Sequence, residues 1–158
     1  MYNNIMNDFA FGNMEKPAFS TKENSRKLAS IMRSKFSLLA TQLIEEGEQE
    51  KATEILDTSY RHFKNEKIPF DYTSIIDVQS YFTVNQVDTA INISNKIAHN
   101  FLQDITYIKS LPKELSKEFE QDLNIANVGI NQLIRIAQVN NKSDWAKSIR
   151  EKHNAVRI

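Results

Sequence analysis

The chain has 158 residues, 20 basic and 20 acidic side chains, and no cysteine. A globular chain of this length buries roughly 70% of its unfolded surface, so one ordinary domain can fold without covalent staples. The missing cysteines exclude disulfides and thiolate metal sites, and the balanced charge lacks the Lys and Arg excess of a nucleic-acid binder.

No apolar run reaches the ~18–20 residues of a membrane span. Met1-Tyr2-Asn3-Asn4-Ile5-Met6 lacks the basic start and long apolar stretch of a signal peptide. The expected location is therefore cytoplasmic, unless targeting comes from sequence outside this chain. Three Gly and three Pro are few for a sheet protein, and the composition favours long helices.

Residues 1–20 read as an irregular strap. Tyr2, Phe9, Phe11 and Phe19 surround Gly12 and Pro17 without a sustained period, and so many aromatics predict packing along the first helices. Residues 21–158 read as one helical domain. Helix one opens near Ser20 or Thr21, with Glu23 available to a capping box. Its apolar stripe is Leu28, Met32, Phe36, Leu39 and Leu43, and it stops at Gly47. Helix two presents Ala52, Ile55, Leu56, Ser59, Tyr60 and Phe63, and Pro69 closes the pair. Helix three covers about 71–84, with Ile75, Val78, Tyr81 and Phe82. Helix four runs from Val87 to about Ile108. Ser110-Leu111-Pro112 breaks the chain, with Pro112 in the next first turn. Helix five carries Leu115, Phe119, Leu123, Ala126, Ile130, Leu133 and Ala137. Ser143 caps helix six, which shows Trp145, Ala146 and Ile149 and frays near His153.

The six helices form three pairs, and each pair has a related turn. Gly47 precedes Ala52 by five residues, Asn85 precedes Ala90, and Asn141 precedes Ala146. Gly and Asn tolerate the positive φ of a tight helix–helix turn, and Ala permits close approach of the second helix. This pattern resembles the turn of tetratricopeptide (TPR) repeats, with Phe36, Leu39, Ala40 and Leu43 standing at the first-helix signature positions. The repeat is degenerate. The spacing of 38 residues from Ala52 to Ala90 and 56 from Ala90 to Ala146 departs from a steady ~34, Lys64 replaces the closing Pro, and Asp77 and Val78 stand where Leu and a small residue are usual. The expected fold is all-α: three antiparallel helix pairs in a right-handed TPR-like stack, with a plain helical bundle as the alternative.

The order of several short blocks points further. Met1-Tyr2-Asn3-Asn4, Phe11-Gly12-Asn13-Met14, Arg33 to Ala40, Glu45 to Leu56 and Pro69-Phe70-Asp71-Tyr72 follow in sequence. Together they resemble the C-terminal helical region of bacterial multi-pass membrane proteins that are similar to protein O-mannosyltransferases. That resemblance implies an accessory module on the extracytoplasmic face of a membrane. It places any transferase chemistry in an N-terminal membrane part that this chain does not contain, and it carries over no catalytic residue.

The residues themselves suggest no enzyme. His62, His99 and His153 are far apart and form no HExxH or related zinc pair. There is no Gly-x-Ser-x-Gly and no Gly-rich phosphate loop. Glu45, Glu46, Glu48 and Glu50 ring a turn and a helix start. Glu114, Glu118 and Asp122 alternate with Lys113 and Lys117 as on an exposed helix face. Lys16, Lys22, Arg26, Lys27, Arg33 and Lys35 give the early chain a local positive excess, compatible with a nearby anionic lipid surface or a solvated helix. No cofactor or metal is expected. The expected partner is a protein or peptide, with membrane contact only through a parent protein or by surface proximity.

In TPR arrays the first helix of each pair lines a concave surface that holds a peptide. The turn register places Ser37 and Thr41 there from pair one, Tyr72 and Gln79 from pair two, and Asn131 and Arg135 from pair three. Two rivals stay open. One is a structural cap on a neighbouring domain, marked by an apolar outer patch. The other is part of a glycan-handling enzyme, which needs convergent carboxylates or a metal in a pocket.

Overall fold

The computed structural model describes residues 2–12 and 23–157. Expectations placed on Met14, Lys16, Pro17, Phe19, Ser20, Thr21 and Lys22 lie outside the described residues. Every regular element among the described residues is helical, and the fold class is all-α. None of the described helices is long and apolar enough to cross a membrane. Two compact units emerge: residues 1–69 with 76–90, and residues 70–75 with 91–158. No composition break marks their boundary, which is why the sequence reads as one domain from residue 21.

In the first unit, α1 (Tyr2–Asn7) is a short helix where the sequence predicts an irregular strap. It lies on α3 (Gln49–His62). The Tyr2 hydroxyl hydrogen-bonds the Glu54 carboxylate, and Thr58 reaches the Met6 sulfur. Phe9 and Phe11 then fold over α2 (Glu23–Glu45) and α3. Phe11 stacks on the His62 ring at 3.8 Å, and Phe9, Phe11, Phe36 and Phe63 meet mostly edge to face. The aromatic segment thus packs on the first helices, as its composition suggests.

α2 and α3 form an antiparallel hairpin. Ile55 and Leu56 are buried in it, and each contributes on the order of 1.5–3 kcal/mol by leaving water. Of the predicted α2 stripe, Phe36, Leu39 and Leu43 are buried, Met32 is half-buried and Leu28 is not in the core. Leu28 is 59% exposed, and the buried row runs through Ala29, Arg33, Phe36, Leu39, Ala40 and Leu43. Arg33 in that row is only 2% exposed. Its Nη1 donates to the Ile68 carbonyl at 2.7 Å and its Nη2 to the Pro69 carbonyl at 3.1 Å. The guanidinium so ties the stretch after α3 to α2, while Leu28, Ile31 and Leu38 lie on the exposed side of the helix. Tyr81 of α4 (Ile75–Thr83) is buried in the same unit, and its hydroxyl donates to Asp57 on α3 at 3.0 Å.

The three predicted turns share one hydrogen-bond pattern. Gly47, Asn85 and Asn141 have φ of 80°, 60° and 57°. The N–H of the next residue, Glu48, Gln86 or Lys142, reaches back at 2.8 Å to Leu43, Tyr81 or Ala137. The positive-φ residues themselves donate to Ile44, Phe82 and Gln138 at 3.0–3.1 Å. This paired 6→1 and 5→2 closure satisfies the last free carbonyls of each leading helix. Ala52, Ala90 and Ala146 are all buried, as their spacing predicts.

In the second unit, Asp71 caps a 3-10 turn at Tyr72–Ser74. Its carboxylate accepts from the Thr73 N–H at 3.0 Å, and its own N–H donates to the Ser74 hydroxyl. Asn100 anchors the same stretch by donating to the Phe70 carbonyl at 2.9 Å. α5 (Val87–Ser110) buries Ile97, Phe101, Ile105 and Ile108 here. The predicted fifth helix is broken. Pro112 is an N-cap rather than a first-turn residue, followed by α6 (Lys113–Ser116), a 3-10 turn at Lys117–Phe119 and α7 (Glu120–Val139). Leu115 and Phe119, expected in the core, are exposed, because a single helical period carried through that break loses register. α7 pairs with α8 (Ser143–Arg157). His153 is buried between them, 2.8 Å from the Asn127 side-chain oxygen, instead of lying at a frayed end. Trp145 Nε1 donates to Asn95 at 3.2 Å.

Candidate functional site

The six residues placed on a common groove by the turn register fall into two sets. Ser37, Thr41 and Gln79 belong to the first unit, and Tyr72, Asn131 and Arg135 to the second.

The first set offers little to a partner. Ser37 is 2% exposed, and its hydroxyl donates to the Arg33 carbonyl one turn back. Its assignment to a partner surface is therefore corrected: the turn that buries Arg33 buries the neighbouring position too. Thr41 is half-buried, and its hydroxyl donates to the Ser37 carbonyl. Both hydroxyls serve their own helix, as Ser and Thr often do inside helices. Gln79 is exposed, and its backbone carbonyl accepts from Thr83.

The second set is better placed. Tyr72 is 45% exposed on the 3-10 turn, and that turn packs against α7. α7 carries Asn131 and Arg135, both exposed and four residues apart. The two faces of this helix separate cleanly. Ala126, Ile130, Leu133 and Ala137 recur at steps of four, three and four and are buried. Ile125, Val128, Asn131, Arg135 and Val139 recur at steps of three and four on the outer face. Val128 is 44% and Val139 73% exposed. The outer face therefore combines three aliphatic side chains with an amide and a guanidinium. Such a surface can bury a partner's apolar side chains while the guanidinium forks onto a carbonyl or carboxylate.

The three aliphatic residues are absent from the sequence-level site, which carries over groove positions from the repeat register alone. The signal was available: Ile125, Val128 and Val139 form a second apolar row offset from the core row of the same helix.

Among the described residues, Asp104 carries a raised carboxyl and Tyr81 a raised phenol. Burial, then the charge of Asp122, holds the Asp104 carboxyl above its ordinary range. Burial likewise raises the Tyr81 phenol far above its usual value, with the Asp57 charge and hydrogen bond adding to it. Among the described residues no group of three or more His, Asp or Glu could hold a metal ion. No family model matches this chain, and neither the curated proteins nor the solved structures contain a significant match to it.

Proposed function

We propose that this chain is a non-catalytic helical interaction module that binds an extended or helical segment of a partner protein along the outer face of α7. The observation that carries this reading is the row Ile125, Val128, Asn131, Arg135 and Val139, exposed along a helix whose opposite face is fully engaged in its own core. Exposed apolar side chains gathered along one helix face, rather than scattered singly, are a feature of interaction sites. Tyr72, on the turn packed against the same helix, adds an amphipathic aromatic of the sort enriched in contact surfaces. The resemblance in the short sequence blocks supports a further step: the module serves as an accessory domain beside a membrane-embedded glycosyltransferase-like protein.

A displayed-peptide library selected on the wild-type chain tests the docking face. Selected peptides should lose about tenfold or more in affinity for V128D/R135E and keep it for L38D on α2. Peptides that bind V128D/R135E as tightly as wild type would remove α7 from consideration.

A second reading draws on a different observation. Leu28, Ile31 and Leu38 are exposed along the outer side of α2, at steps of three and seven. That row suits a helical cap against a neighbouring domain, and L38D would then be the variant that loses the contact.

A further inference from the structure

Helix α5 ends in a turn whose Ser110 hydroxyl donates to the Tyr107 carbonyl, and Pro112 (φ −53°, ψ 146°) stops any continuation. The chain bends there into the single turn of α6, the 3-10 turn and the start of α7. A cavity of about 530 Å³ opens at this corner. Three lysines line it: Lys109 from the last turn of α5, Lys113 from α6 and Lys117 from the 3-10 turn. Glu120 is the one carboxylate in the lining, and Ile108 and Leu123 provide the apolar part. In sequence the lysines alternate with Glu114 and Glu118 and read as a neutral helix face. The lysines recur at steps of four, and the lining they share does not include those two glutamates.

We propose that this cavity binds the phosphate group of a small ligand that also carries an apolar portion. Three lysines and one glutamate give the lining residues a formal net positive charge in a chain that is neutral overall. Like charges held together repel, and a multiply charged anion between them relieves that repulsion. Among the described residues neither Lys113 nor Lys117 forms an ion pair, so both ammonium groups are available. Lysine acts on phosphate as a mobile point charge and needs no fixed fork geometry. The volume lies in the range of small-molecule sites. Ile108 and Leu123 accept the hydrocarbon or ring portion beside the phosphate. Glu114 and Glu118, exposed on the same short segment, repel a long acidic chain and favour a compact anion.

The same chemistry is presented by a soluble phosphate ester and by a phospholipid headgroup. Sodium pyrophosphate, titrated into the isotopically labelled chain against a sodium chloride control of equal ionic strength, tests the cavity itself. Saturable amide shifts confined to residues 108–123 are expected, weakened about tenfold or more in K113Q/K117Q and retained in K147Q/K152Q, which removes the same charge from α8. All four lysines are exposed, so both double variants should keep the wild-type circular dichroism spectrum and melting temperature. Shifts absent from 108–123, or unchanged in K113Q/K117Q, overturn the proposal. Co-sedimentation with phosphatidylcholine vesicles containing phosphatidylglycerol separates the sources. Sedimentation abolished by K113Q/K117Q assigns a headgroup, whereas pyrophosphate binding without sedimentation assigns a soluble phosphate ester. Sedimentation that survives K113Q/K117Q rules the cavity out as a headgroup site.

Discussion

Gly129→Ala should destabilise the chain although it replaces a helix-interior glycine by the best helix former. Propensity alone predicts a gain of about 1 kcal/mol, because alanine loses less backbone entropy on folding. The structure opposes this. A Cβ built at Gly129 on α7 would overlap the Phe101 ring of α5, with the ring Cζ at 2.7 Å and Cδ2 at 2.9 Å. Ordinary carbon contacts lie at ~3.5–4.0 Å. Phe101 is itself buried, so its ring must move by about 1 Å into packed neighbours. Overpacking of that kind costs about 1–3 kcal/mol. The balance is a net loss of about 0–2 kcal/mol, or a fall of up to about 8 °C in melting temperature for a chain of this size. Urea denaturation of G129A, F101L and the double variant measures it. The loss should vanish in the F101L background, where the smaller side chain leaves room and propensity reasserts itself. A G129A protein more stable than wild type, with no coupling to position 101, would refute the close approach of α5 and α7.

The turns make a graded prediction. Gly47→Val should cost about 1–2 kcal/mol by forcing a β-branched residue to positive φ, while Asn141→Gly leaves melting temperature unchanged or slightly raised. Arg33→Met removes the donors to the Ile68 and Pro69 carbonyls and leaves these without the guanidinium. A loss of at least about 2 kcal/mol is expected, with faster proteolytic cleavage near residues 64–71; wild-type stability would show that the tie is dispensable. Tyr81 predicts an alkaline weakness. Its folded pKa is raised above the ordinary 10, so stability is full below pH 10 and falls above it, where the unfolded phenol ionises and the folded one does not. Tyr81→Phe should lose about 0.5–1.5 kcal/mol at neutral pH and flatten the decline above pH 10, read by denaturation across pH 7–11.

The turns were legible because a positive φ restricts residue type so strongly. Gly47, Asn85 and Asn141 each announce themselves, and the alanine five positions on reports the close approach that follows. The α2 face was legible from Phe36 to Leu43 but not at its start. Leu28 and Met32 match a helical period as well as Ala29 and Arg33 do, and the two carbonyls that the buried Arg33 guanidinium reaches lie some thirty-five residues away. Gly129 looks like a scattered glycine until the Phe101 ring lies over it. Leu115 and Phe119 fell out of the core for one reason. Pro112 and the short α6 reset the helical phase, and periodicity carries no information across such a reset. At the candidate site the register placed Asn131 and Arg135 on an exposed face. It placed Ser37 there too, because carried-over groove positions take no account of how deeply a helix is sunk. It also left out the aliphatic row beside Arg135.

Methyl-labelled NMR of the chain with a peptide selected on it tests the docking face most directly. If the partner docks on α7, the Ile125, Val128 and Val139 methyl resonances shift on binding, while those of Leu28, Ile31 and Leu38 on α2 stay in place. Shifts at the α2 residues with the α7 methyls unmoved would contradict it and move the contact surface to the other unit.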